Sequence, residues 1–170
     1  AYGPYLYENL RFMPRAYFVD KGILVIGDQQ NSNQMVYSLL LSNNFDPNNA
    51  VIIQGKKLLS RYALSDLSKY DAIIITGSFD NNQIAKLRSY VDNKGILLPD
   101  IFNNKNSISD EEIGHLFDAL NGTFEDIEII DYESNKVVYN AADKKGFLVL
   151  SERFSNFPGW TASGKDGNEI

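Results

Sequence analysis

Four short apolar runs, each closed by glycine, proline or a polar residue, recur along the first hundred positions. They are Gly22–Gly27 (Gly-Ile-Leu-Val-Ile-Gly), 50–54 (Ala-Val-Ile-Ile-Gln), 71–77 (Asp-Ala-Ile-Ile-Ile-Thr-Gly) and 95–99 (Gly-Ile-Leu-Leu-Pro). No polar residue interrupts their centres, so each needs cover on both faces. Strands of a parallel sheet read this way, whereas half-exposed strands alternate. Between the runs lie segments of helical spacing. Residues 33–42 carry Met35, Leu39 and Leu40, residues 64–70 form a short helix, and residues 82–93 align Ile84, Leu87, Tyr90 and Val91 on one face. Ser109, with Glu112 three positions on and acids in the first turn, opens a further helix that runs to Leu120 and stops at Asn121-Gly122. Strand and helix alternating at this spacing predict an α/β fold. The expected form is a parallel three-layer α/β/α sheet, Rossmann- or flavodoxin-like, with right-handed crossovers.

Beyond residue 123 the pattern changes. Residues 124–132, 136–141, 146–152 and 160–163 are strand-like, and Glu133-Ser134-Asn135 and Asp143-Lys144-Lys145-Gly146 supply hairpin chemistry. The chain therefore divides into an α/β domain, 1–123, and an appended antiparallel β module, 124–170, packed on the first. Residues 164–170 read as a turn entering a strand that is cut short, so the module reads as truncated. At the other end, residues 2–12 are aromatic-rich and irregular, and 15–19 alternate like a short strand.

Composition removes several chemistries. Hydrophobic residues make up 44% of the 170, which suits a globular chain. The net charge is −6 and the lysines and arginines are scattered. Nucleic acid and anionic membrane surfaces both require concentrated positive charge, so neither is an expected partner. There is no cysteine, which excludes a catalytic thiol, a thiolate zinc site and a disulfide framework. No apolar run approaches the roughly 20 residues that cross a bilayer, and the first residues show no signal-peptide pattern, so the residues in hand read as a soluble domain. Charged residues are only 22%, while Asn is plentiful, as in Asn43-Asn44 and Asn103-Asn104. A low-pH exterior and AT-rich codon usage both account for that.

Ligands of an open parallel sheet sit beyond the carboxyl ends of its strands. Those ends carry Gly27-Asp28, Thr76-Gly77-Ser78 and Pro99-Asp100, which makes Asp28, Ser78 and Asp100 the default pocket. Gly, Asp and Ser also end strands and open turns in any fold. Thr76-Gly77-Ser78 has the start of a nucleophile elbow, but Asp80 stands where the second glycine belongs. The one available base, His115, lies on an amphipathic helix beside Leu116 and Phe117. No residue is assigned a catalytic role. No Gly-x-Gly-x-x-Gly and no Gly-Lys-Ser/Thr loop occurs, so no cofactor is expected. Asp110-Glu111-Glu112 could hold a divalent cation, but a helix N-terminus attracts carboxylates by itself, and no metal is expected. Asn121-Gly122-Thr123 is an N-glycosylation sequon. Trp160, with Phe154 and Phe157 around Pro158-Gly159, is either a sugar-stacking platform or a plug in the core.

Two segments carry a family resemblance. The tail, Gly146-Phe147-Leu148-Val149-Leu150-Ser151-Glu152 through Phe157-Pro158-Gly159-Trp160-Thr161-Ala162 to Asp166-Gly167-Asn168-Glu169-Ile170, resembles the C-terminal extracytoplasmic signature of YfhO-like membrane proteins. Met13-Pro14-Arg15-Ala16-Tyr17-Phe18-Val19 and Asn44-Phe45-Asp46-Pro47-Asn48-Asn49-Ala50-Val51 are similar to the stretch before that signature. The family is polytopic, and its membrane helices are related to lipid-linked-sugar glycosyltransferases. The resemblance implies a domain on the extracytoplasmic face of the cell membrane. It would be partnered by the transmembrane portion of the same polypeptide and by a glycan or lipid-linked sugar, with catalysis in the helical part. Residues 64–120 resemble a glutamine-amidotransferase-like or Rossmann-like insertion. Amidotransferases use a Cys-His pair, and this chain has no Cys. Three functions follow: a non-catalytic domain positioning a glycan, lipid carrier or partner; a hydrolase using strand-end carboxylates; or a purely structural interaction domain.

Overall fold

In the computed structural model, which describes residues 15–55, 58–77, 80–103, 107–133, 136–141, 145–150 and 161–164, a first strand β1 (Ala16–Val19) precedes the four apolar runs. The runs become β2 (Gly22–Gly27), β3 (Val51–Gln54), β4 (Ala72–Thr76) and β5 (Ile96–Leu98), joined in one parallel sheet of order β3-β2-β4-β5. Among the described residues four α-helices accompany them: α1 (Gln29–Leu40), α2 (Leu64–Leu67), α3 (Asn81–Asp92) and α4 (Asp110–Ala119). The chain winds outward from β2 to β3 through α1, then crosses back and winds the other way from β4 to β5 through α3. Right-handed crossovers in opposite directions put their helices on opposite faces.

The two cores show that arrangement. Ile23 and Val25 of β2 pack with Leu39 of α1 and with Ile113, Leu116 and Phe117 of α4. Their neighbours Leu24 and Ile26 point to the other face and pack with Leu67 of α2 and Leu87 and Tyr90 of α3. Both faces of the sheet are therefore covered, as the uninterrupted apolar runs require. Each fully buried Ile or Leu contributes about 1.5–3 kcal/mol through removal of its surface from water.

Helix ends follow local chemistry. Ser109 and Glu112 form the predicted reciprocal cap on α4, the Glu112 N–H donating to Ser109 Oγ at 3.3 Å and the Ser109 N–H to Glu112 Oε2 at 3.0 Å. Helix α1 starts at Gln29 and not near residue 33: Asp28 caps it, and its first turn is polar, so it carries no apolar signal. Helix α3 ends in a left-handed Lys94 (φ 69°), whose N–H bonds Val91 O while Gly95 N–H reaches Tyr90 O. That is the Schellman arrangement with lysine where glycine is usual.

The last third forms β6 (Phe124–Asp126), β7 (Ile129–Glu133), β8 (Lys136–Tyr139) and β9 (Phe147–Leu150). The β7-β8 hairpin is antiparallel, as expected from the turn residues at 133–135. Two expectations change. The single strand 124–132 is broken at Ile127, which turns inward onto Ala16 and Phe18 and donates its N–H to Ala16 O at 3.2 Å. The 143–146 turn does not pair β8 with β9. Instead β9 pairs with β1, and β1 is the middle strand of an antiparallel sheet of order β6-β1-β9. Gly146 (φ 135°) makes this possible, since a Cβ there would stand 2.6 Å from the Val19 carbonyl oxygen. A strand from before position 123 thus sits at the centre of the appended sheet. Trp160 and residues 151–160 lie outside the described residues. Among the described residues no helix is long and apolar enough to cross a membrane.

Candidate functional site

The winding direction reverses between β2 and β4, and the crevice at the carboxyl ends of those strands is where doubly wound sheets place ligands. Gly27 lies opposite Thr76 in the register, and a Cβ at 27 would meet Thr76 Oγ1 at 1.9 Å. The two central strands therefore close tightly here. Immediately beyond, Asp28 folds back on α1: Oδ1 accepts the Asn31 N–H at 2.9 Å and Oδ2 accepts Asn31 Nδ2 at 2.6 Å. Those two hydrogen bonds, the backbone one first, hold the Asp28 carboxyl below the usual carboxylate range. Ser32, buried at 1% exposure, donates to the Asp28 carbonyl at 2.7 Å. Gln54 at the end of β3 donates to Ser32 Oγ at 3.0 Å and to Asn33 Oδ1 at 2.6 Å.

The other helix aimed at this edge is closed in the same way. Asp80 accepts the Gln83 N–H at 2.9 Å and donates its own N–H to Gln83 Oε1 at 2.8 Å. Helix N-termini at a switch point attract anions because their N–H groups are free. Here each already holds a carboxylate of the chain, which takes one of those donors, the Asn31 or the Gln83 N–H, and repels a second anion.

The predicted pocket is only partly assembled by the described residues. Asp100 is half-buried and follows Pro99 at the end of β5. Strand β4 separates it from the end of β2 that carries Asp28, so the two backbones are about 10 Å apart at normal strand spacing. Ser78 and Trp160 lie outside the described residues. His115 is exposed on α4, over a shallow apolar hollow of about 160 Å³ lined by Ile96, Leu98 and Leu116. Asn121 of the sequon is exposed, while Thr123 donates its N–H to Asp20 Oδ1 at 2.6 Å.

A larger hollow, about 390 Å³, opens at the opposite, amino ends of the strands, where sequence reasoning did not look. Lys21, Tyr70, Asp71, Tyr90 and Lys94 line it. Asp71 accepts Lys21 Nζ at 3.1 Å and the Gly22 N–H at 3.0 Å, tying β4 to the start of β2. Tyr90 donates its hydroxyl to Tyr70 O at 3.0 Å, and burial, followed by the charge of Asp71, pushes its phenol far above the ordinary range. The sequence signal was Tyr70-Asp71 before an apolar run, which reads equally as a strand start. Among the described residues no group of three or more His, Asp or Glu is placed to hold a metal ion.

Fold and edge together define a doubly wound parallel α/β domain with antiparallel sheets at its C-terminal end. Compared with protein-family models, with curated proteins and with solved structures, the chain matches none.

The cap at Asp28 makes a pH-dependent prediction. A carboxylate whose folded pKa is depressed stabilises above its unfolded pKa, and that stabilisation fades as pH falls through the folded value. Asp28→Ala therefore lowers the urea midpoint at neutral pH, and its deficit relative to the parent chain narrows on acidification from about pH 5 to about pH 2.5. A deficit constant over that range would mean that the carboxylate is not the capping group.

Proposed function

We propose that this chain is a non-catalytic, extracytoplasmic domain of a YfhO-like membrane protein, related to the lipid-linked-sugar glycosyltransferases, and that it positions a glycan, lipid carrier or partner. The tail pattern over 146–170 and the segment 13–19 support the family. One geometric observation carries the non-catalytic part: the switch-point helices are capped by Asp28 and Asp80. A general acid needs a pKa near the working pH. Asp28 departs in the other direction, staying ionised and bonded to Asn31. That disfavours Asp28 as the general acid of a strand-end hydrolase.

The absence of cysteine from these 170 residues gives a test of the location. Leu58 is 63% exposed, so Leu58→Cys adds the one thiol of this domain, at an accessible position. In intact cells expressing the whole protein, a membrane-impermeant maleimide labels the variant above the level of the parent protein without lysis; added labelling only after permeabilisation overturns the extracytoplasmic reading. In the same whole protein, Asp28→Asn and Asp100→Asn leave activity nearly unchanged. A loss of about a hundredfold, the scale of general acid–base catalysis, would put the chemistry in this domain.

A further inference from the structure

Asn121-Gly122-Thr123 has no part in the function proposed above. Of the chain's 18 asparagines, Asn121 alone has a serine or threonine two residues on. A triplet this short also arises by chance, so its surroundings decide what it means. It lies in the connection between α4 and β6, outside every helix and strand of the described residues.

Gly122 fixes how that connection lies. A Cβ there would run into the Asn49 carbonyl oxygen and stand 2.9 Å from Lys21 Cγ, so position 122 packs inward and only glycine fits. Thr123 is held by its backbone. Its N–H donates to Asp20 Oδ1 at 2.6 Å, and its carbonyl accepts the Asp20 N–H at 3.4 Å.

The side chains flanking Gly122 are left over. Asn and Thr in connections commonly bond nearby backbone groups. Here both are exposed, and neither the Asn121 amide group nor the Thr123 hydroxyl has a hydrogen-bond partner among the described residues. An N-glycosylating transferase needs that amide as acceptor and that hydroxyl as the group it reads. The fold holds the backbone of the triplet and leaves both groups free.

We infer that Asn121 carries an N-linked glycan. This rests on the extracytoplasmic reading, because the donor, a lipid-diphosphate-linked oligosaccharide, is consumed on that face of the membrane. In the transfer Asn121 Nδ2 bonds C1 of the first sugar as the C1–O bond to the diphosphate breaks. One amide hydrogen leaves as a proton to a carboxylate of the cell's transferase, and the lipid diphosphate departs with the bonding electrons. The product is bulky and hydrophilic. It stands next to Leu120, which lines the hollow of about 390 Å³ at the amino ends of the strands. A group of that kind keeps its surroundings in water, so this rim is not where the transmembrane portion packs.

The test is mass spectrometry of the peptide containing Asn121, taken from the whole protein purified out of its own cells. The expected result is a glycan mass localised to Asn121. Thr123→Ala abolishes it and Thr123→Ser keeps it. Both variants retain the parent's urea midpoint, since Thr123 meets Asp20 through its backbone. An Asn121 peptide found only without sugar overturns the inference. So does a glycan that survives Thr123→Ala, because the triplet would then not direct it. Labelling of Leu58→Cys separates this inference from the location it rests on. Label taken up by intact cells with a bare Asn121 sinks the glycan alone, whereas label only after permeabilisation with a bare Asn121 sinks the location as well.

Discussion

Ile74→Ala destabilises the chain by about 3–4 kcal/mol, and Ile73→Ala, one residue away, costs nearly as much. Both side chains have 0% exposure in β4, which lies between β2 and β5. Ile74 points into the core with Val25, Leu39 and Phe117, and Ile73 into the core with Leu24, Leu67 and Leu87. Each truncation removes buried methylenes and leaves a cavity that rigid neighbours on two strands and a helix layer cannot fill. Against a total stability of about 5–15 kcal/mol, either loss is large. Urea unfolding of the two variants side by side checks the layering. If one costs less than about 1 kcal/mol, that face of the sheet is not covered and the three-layer arrangement is wrong.

Gly27→Ala costs about 2–3 kcal/mol, at the upper end for overpacking, because the obstruction is largely backbone. The new methyl would lie 1.9 Å from Thr76 Oγ1 and 2.6 Å from the Thr76 carbonyl oxygen. The hydroxyl can leave, but the carbonyl belongs to the β2-β4 ladder. Thr76→Ala in the same chain therefore recovers part of the loss and not all of it, which a double-mutant cycle reads as a coupling between the two positions. Full recovery would locate the crowding in the side chain alone. No coupling would mean that the strand ends do not approach as closely as described.

Much of the fold was legible because its signals act over a few residues. The apolar runs located β2 to β5 to within a residue or so, and the Ser109–Glu112 pair located the start of α4, since a cap involves neighbours three positions apart. The candidate site was less legible. Asp28 was correctly placed at a strand end, but its engagement with Asn31 depends on how the first turn of α1 forms. The hollow at the amino ends depends on Lys21 meeting Asp71, fifty positions apart, which no local pattern encodes.

By itself, the sequence determined that the chain is α/β, that its central strands need cover on both faces, and that thiol chemistry is absent. Those follow from side-chain polarity and composition, which need no knowledge of neighbours in space. Only the tertiary structure decided that β1 sits between β6 and β9, that Ile127 ends one strand by turning inward, and that β3 and β5 are the two edges. Strand order is set by which long-range contacts bury the most surface together, and residues adjacent in the chain carry little record of that competition.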